Sequence, residues 1–135
     1  MAAARYWRLV GIDTYAGGDL ELSELQWFDN AGRVDASATV TCSHAPVAGS
    51  LAALNDDNLG TVCRLAAGDL RAAGFWVRWD LGSARDVTRL RVAAPVVAGG
   101  LLRCVLQQSD DGLNWLNAVQ IADIAPTPGG GLSDY

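Results

Sequence analysis

Short runs in which every second residue is apolar constrain this chain more than any other feature. The clearest begins after Gly74 and reads Phe75-Trp76-Val77-Arg78-Trp79-Asp80-Leu81. Phe75, Val77, Trp79 and Leu81 share one face, and Trp76, Arg78 and Asp80 share the other. A period of two is the signature of a strand with one face packed and one face wet. Gly82-Ser83 stops it. Val87 to Val92, Leu102 to Gln107 and Trp115 to Ile121 read as further strands, the last two joined through the turn Asp110-Asp111-Gly112. Near the front, Tyr6 to Ile12 and Leu20 to Phe28 flank a loop at Tyr15-Ala16-Gly17-Gly18-Asp19. Asp29-Asn30-Ala31-Gly32 turns the chain again, and Ala36 to Cys42 is a weaker strand. Residues 50–70 show little periodicity and read as loops with a short helical turn.

About eight short strands in one chain of 135 residues predict an all-β fold: a single antiparallel jelly-roll β-sandwich. Parallel pairing would require long amphipathic crossover helices, which the pattern lacks. The predicted organisation is an N-terminal arm over 1–4, the sandwich over 5–125, and a Pro/Gly-rich arm or linker over 126–135. Pro126-Thr127-Pro128-Gly129-Gly130-Gly131 cannot enter a sheet interior.

One strand breaks the rule. In Leu20-Glu21-Leu22-Ser23-Glu24-Leu25-Gln26-Trp27 the apolar phase slips between Leu22 and Leu25. A bulge near Ser23-Glu24 accounts for the slip. Glu24 is then either re-aimed at a specific partner or left exposed at an edge.

Composition narrows the function. Fifteen acidic residues against ten basic ones give a net charge of −5, and all ten basic residues are Arg. An acidic chain with scattered Arg lacks the footprint of a nucleic-acid binder or of a patch for anionic lipid. No run of roughly 18 apolar residues predicts a membrane span, and Met1 to Trp7 does not read as a secretory signal. Cys42, Cys63 and Cys104 are odd in number and widely spaced, so they read as buried free thiols. His44 is the only histidine, no Gly-x-Ser-x-Gly elbow or phosphate loop occurs, and both Glu residues lie in one strand. The expectation is a protein that is not an enzyme. The richest polar stretch is Asn55-Asp56-Asp57-Asn58-Leu59-Gly60-Thr61, whose oxygens suit a hard cation or are simply solvated.

Taken in order, several segments resemble the discoidin-like, galactose-binding-like family of coagulation-factor C-terminal type, which also includes carbohydrate-binding modules and phage tail proteins. They are Tyr6-Trp7-Arg8-Leu9-Val10, Leu22-Ser23-Glu24-Leu25-Gln26-Trp27, Asp56 to Thr61, Phe75 to Gly82, and Gln108-Ser109-Asp110-Asp111-Gly112-Leu113-Asn114-Trp115. The resemblance spans most of residues 5–122. It implies a structural calcium ion held by Asp56, Asn58 and Thr61, with Glu24 as a second carboxylate. It also implies a sugar site on loops at one end, for which Tyr15, His44, Arg64 and Arg71 are the available residues. Asp57 stands where the family usually has Gly, and Cys63 where it usually has Trp.

In that family the Arg-Leu and Ser-Glu-Leu segments normally close the domain. Here they come first, as in phage virion proteins. The expectation is a non-catalytic bacteriophage virion structural protein (tail-fibre, tail-associated or capsid-decorating), assembled in the host cytoplasm. Its partners would be other virion proteins, further copies of itself and a host-surface glycan. The alternative is a carbohydrate-binding module for a galactose-like sugar.

Overall fold

Backbone hydrogen bonding in the computed structural model, which describes residues 3–121 and 133–134, follows the alternation, except that the strand through Trp79 begins at Val77 and runs on past Gly82-Ser83 to Arg85. In chain order the strands are β1 (Ala4–Thr14), β2 (Leu20–Leu22), β3 (Glu24–Asp29), β4 (Gly32–Arg33), β5 (Thr39–Cys42) and β6 (Ala48–Gly49). They continue as β7 (Cys63–Leu65), β8 (Val77–Arg85), β9 (Arg89–Ala93), β10 (Leu101–Ser109), β11 (Leu116–Ile121) and β12 (Ser133–Asp134). Helix is confined to single turns at Leu51–Asn55, Ala67–Leu70 and Val97–Gly99 among the described residues.

Every strand pairing is antiparallel. One sheet has the order β11-β10-β1-β8-β5, a second β12-β9-β3-β4, and a third β2-β7-β6. The architecture is an all-β sandwich. Its layers meet in one hydrophobic cluster in which Trp7 of β1, Trp27 of β3 and Trp79 of β8 are each 0% exposed. The Trp7 and Trp27 rings lie 5.9 Å apart and the Trp27 and Trp79 rings 5.2 Å apart, both tilted. Such aromatic pairs add about 0.5–1.5 kcal/mol each beyond the area they bury.

The phase slip coincides with the passage from one sheet to the next. Leu20 and Leu22 pair with Leu65 and Cys63, whereas Leu25 and Trp27 pair with Val92 and Leu90. Ser23, between them, is fully buried and donates its N–H to the Ala93 carbonyl at 2.8 Å. A single strand could not serve both sheets in phase, so the chain breaks here. The break turns Glu24 inward, to 1% exposure.

Residues 50–70 hold more strand than the sequence predicts. Cys63-Arg64-Leu65 does alternate, buried-exposed-buried, but three residues are too few to register as periodicity. Of the predicted C-terminal arm, residues 126–132 and 135 lie outside the described residues, and Ser133–Asp134 pairs with β9 at a sheet edge.

Candidate functional site

The Asn55–Thr61 loop closes against β3 through local hydrogen bonds. Asp56 accepts the Asn58 N–H at 3.0 Å on Oδ1 and the Thr61 hydroxyl at 2.5 Å on Oδ2. Asn58 Oδ1 accepts the Gly60 N–H at 2.8 Å, and its carbonyl lies 3.0 Å from Thr61 Oγ1. Asp57 donates its N–H to Glu24 Oε1 at 2.9 Å. The structure therefore gathers Asp56, Asn58 and Thr61 within the loop and sets Glu24 against it. Asp57 takes φ +58°, the left-handed region that glycine enters freely and aspartate tolerates better than most residues. The substitution thus keeps the backbone geometry of the glycine expected there.

The Thr61 hydroxyl lies between two acceptors, the Asp56 carboxylate and the Asn58 carbonyl, and the carbonyl also accepts the Thr61 N–H at 3.2 Å. The Asp56 carboxyl also lies within hydrogen-bonding reach of Glu24. Burial, with a further push from Asp56, raises Glu24 to about 7, against the pull of Gln26, Arg33 and the Asp57 N–H. The side-chain oxygens of these four residues are the ligand type that a hard dication takes, and such an ion would let Glu24 ionise. Only two of the four residues are carboxylates. Among the described residues, no three or more His, Cys, Asp or Glu side chains form a metal-sized group.

The sequence reading missed the neighbouring network. Arg33, on β4, meets Asp35 with Nε at 2.9 Å, Glu24 with Nη2 at 3.7 Å, and Asp57. Gln26 donates to Glu24 at 3.1 Å and to Asp57 at 3.4 Å. Asp35 is 0% exposed and accepts the Trp27 N–H at 3.0 Å. Burial pushes its carboxyl up, opposed by Arg33 and that N–H. Three carboxylates thus surround one guanidinium. The only clue in sequence was the Arg33-Val34-Asp35 alternation, directly after the Asp29–Gly32 turn.

Three of the four predicted ligand-binding residues gather at one end. Arg64 pairs with Asp19 at 2.9 Å, and Arg71 donates to the Gly17 carbonyl. Tyr15, 36% exposed, sits on the same loop, which is tied by its N–H to Gly100 at 3.3 Å. A shallow depression of about 370 Å³ beside Tyr15 is lined by Asp19, Glu21, Arg64 and Val96 among others. The Ala67 N–H and then Arg64 hold Asp19 below the usual carboxylate range. His44 is engaged elsewhere. Its Nδ1 lies 2.9 Å from Ser43 Oγ, and its ring is 5.7 Å from that of Phe75. Ser43 Oγ in turn accepts the Trp76 N–H at 2.9 Å, continuing the β5–β8 ladder with a side chain.

Cys63, in place of the expected Trp, is a core residue at 2% exposure. Burial raises its thiol, like that of Cys104, to about 12, so both stay protonated at neutral pH. No helix among the described residues is long and apolar enough to cross a membrane. No family model, curated protein or solved structure matches this chain.

Proposed function

We propose that this chain is a non-catalytic structural domain of a bacteriophage virion, a tail-fibre, tail-associated or capsid-decorating protein that acts by docking. The observation that carries this reading is how its polar side chains are used. Glu24, Asp35 and Asp56 accept backbone N–H groups and tie a loop to β3, while Arg64 and Arg71 brace the Tyr15–Asp19 loop. Apolar side chains are left facing outward: Val96 at 59% and Val97 at 45% exposure on the segment tied to the Tyr15 loop, and Val47 at 56%, bonded to the backbone of Arg64. An apolar cluster ringed by charge is the composition of a protein interface.

The virion assignment rests on the resemblance and its strand order, with the Arg-Leu and Ser-Glu-Leu segments first. It gives the chain other virion proteins and copies of itself as partners, and places it in the particle after assembly in the host cytoplasm. Calcium belongs to the same proposal: Glu24, Asp56, Asn58 and Thr61 hold the ion, which fixes the loop. Antibody labelling of purified phage particles tests the assignment. Particles decorated at the tail or shell support it, and unlabelled particles from cells that make the chain refute it.

The depression beside Tyr15 favours a second role, attachment to a galactose-like sugar on the host surface. Stacking on Tyr15 and hydrogen bonds from Arg64 would hold the sugar. A glycan array, repeated with Tyr15→Ala and His44→Ala, tests it. Binding lost in Tyr15→Ala supports the rim site, and the His44 variant is expected to bind normally, because that ring packs on Phe75.

A further inference from the structure

The outer face of the five-stranded sheet carries a polar row. The strand register sets Thr41 opposite Arg78, Arg78 opposite Arg8, Arg8 opposite Gln107, and Gln107 opposite Asn117. Their chain neighbours Leu9, Val77 and Leu106 are buried on the inner face. With strands about 4.8 Å apart, the five side chains run roughly 19 Å across the sheet. Arg8 donates to Gln107 at 2.7 Å, and Gln107 to Asn117 at 2.7 Å.

The two arginines are held by rings. Arg8 lies 4.2 Å from the Trp115 centroid, and Arg78 lies 5.5 Å from Trp76 and 5.6 Å from Tyr6. Neither has a carboxylate within 4 Å among the described residues. Asp80, the acidic residue on this face, is held by both ends of Arg5 at 2.8 and 3.0 Å. Arg78 Nε and Thr41 Oγ1 are buried without a hydrogen-bond partner. Like charges directly opposed across strands, with donors left unmade, cost stability. Burial and the charge of Arg78 together lower the pKa of Arg8. Nothing in the fold requires this arrangement.

We propose that this row is a binding track for an acidic polysaccharide, with a carboxylate or sulfate group seated between Arg8 and Arg78. A guanidinium fixed flat on an aromatic ring is pre-organised for two-point recognition of an oxyanion. Gln107 and Asn117 continue the row with groups that match sugar hydroxyls. The ring faces are already covered by guanidinium, which leaves a nucleobase no stacking platform. An acidic peptide strand would pair along a sheet edge rather than lie across a face. The track is separate from the Tyr15 rim.

Affinity electrophoresis against polygalacturonate, dextran sulfate and neutral dextran tests this. The intact protein is expected to be retarded by at least one acidic polymer, less so in high salt, and not by neutral dextran. Arg8→Gln and Arg78→Gln should each weaken binding tenfold or more while the melting temperature holds or rises, because a like-charge contact is relieved. Arg85→Gln, which removes an exposed arginine outside the row, should bind as the parent does. Retardation by neither acidic polymer, equal retardation by neutral dextran, or undiminished binding by both Arg8→Gln and Arg78→Gln would overturn the proposal. Loss of binding in Tyr15→Ala alone would move the site to the rim and overturn it equally.

Discussion

Glu24 makes the stability of the calcium-free protein depend on pH in an unusual direction. Its carboxyl titrates near 4.5 in an unfolded chain and about 7 in the fold, because burial opposes its charge. The folded state therefore holds a proton that the unfolded state has released. The stability that Glu24 contributes is full below about 4.5 and is lost as pH rises through about 7, above which the whole cost of ionising a buried carboxylate is in place. A displacement of this size corresponds to a loss of about 3 kcal/mol. Asp35, also raised, adds in the same direction. Asp19, Asp56 and Asp80 are depressed, so their contributions are already complete at the lower end of this window. Urea unfolding in EDTA at pH 5, 6, 7 and 8 measures the slope directly. Glu24→Gln, neutral at every pH, should remove most of it. An identical slope in the variant and the parent would refute the reasoning.

Calcium should act on the same group. At a hundredfold excess over its dissociation constant, a bound ion raises stability by about 2.7 kcal/mol. It should also flatten the pH slope, and melting curves that do not respond to calcium or EDTA would remove the ion from the account. Asp57 separates backbone from charge: Asp57→Gly and Asp57→Ala both lose the Arg33 contact, but only glycine frees the φ +58° position. Asp57→Gly is expected to be more stable than Asp57→Ala by about 1 kcal/mol, and thermal unfolding giving the reverse order would contradict this. Trp7 and Trp79 are equally buried, but Trp7 Nε1 donates to the Ala4 carbonyl at 2.9 Å while Trp79 Nε1 has no partner. Trp7→Phe should therefore cost about 1–3 kcal/mol more than Trp79→Phe in urea unfolding, and equal costs would be contrary evidence.

How much of this could be read in advance follows from the range of each interaction. The β8 alternation and the Ser23 phase slip are local properties of a few consecutive residues, and both located real features. Cys63–Leu65 was missed because three residues carry little periodicity and its partners, Leu20–Leu22 and Ala48–Gly49, come from elsewhere in the chain. Glu24 could be picked out because a broken period points at it. Arg33 and Asp35 could not, because their roles depend on β4 folding back on β3 and on the Asp57 loop arriving beside them. The row from Thr41 to Asn117 was likewise invisible, because its five members come from five strands whose register exists only in the folded sheets. Tyr15, Arg64 and Arg71 were placed on one end through family likeness, and His44 was grouped with them without any local signal.

The central claim is that this sandwich serves as a building and docking element of a particle. Averaged electron cryo-microscopy density of the intact phage tests that most directly. The account predicts a density that this sandwich fills in several symmetry-related copies, contacting its neighbours through the Tyr15 rim. A complete particle with no such density, and the chain recovered only from the soluble host fraction, would contradict it.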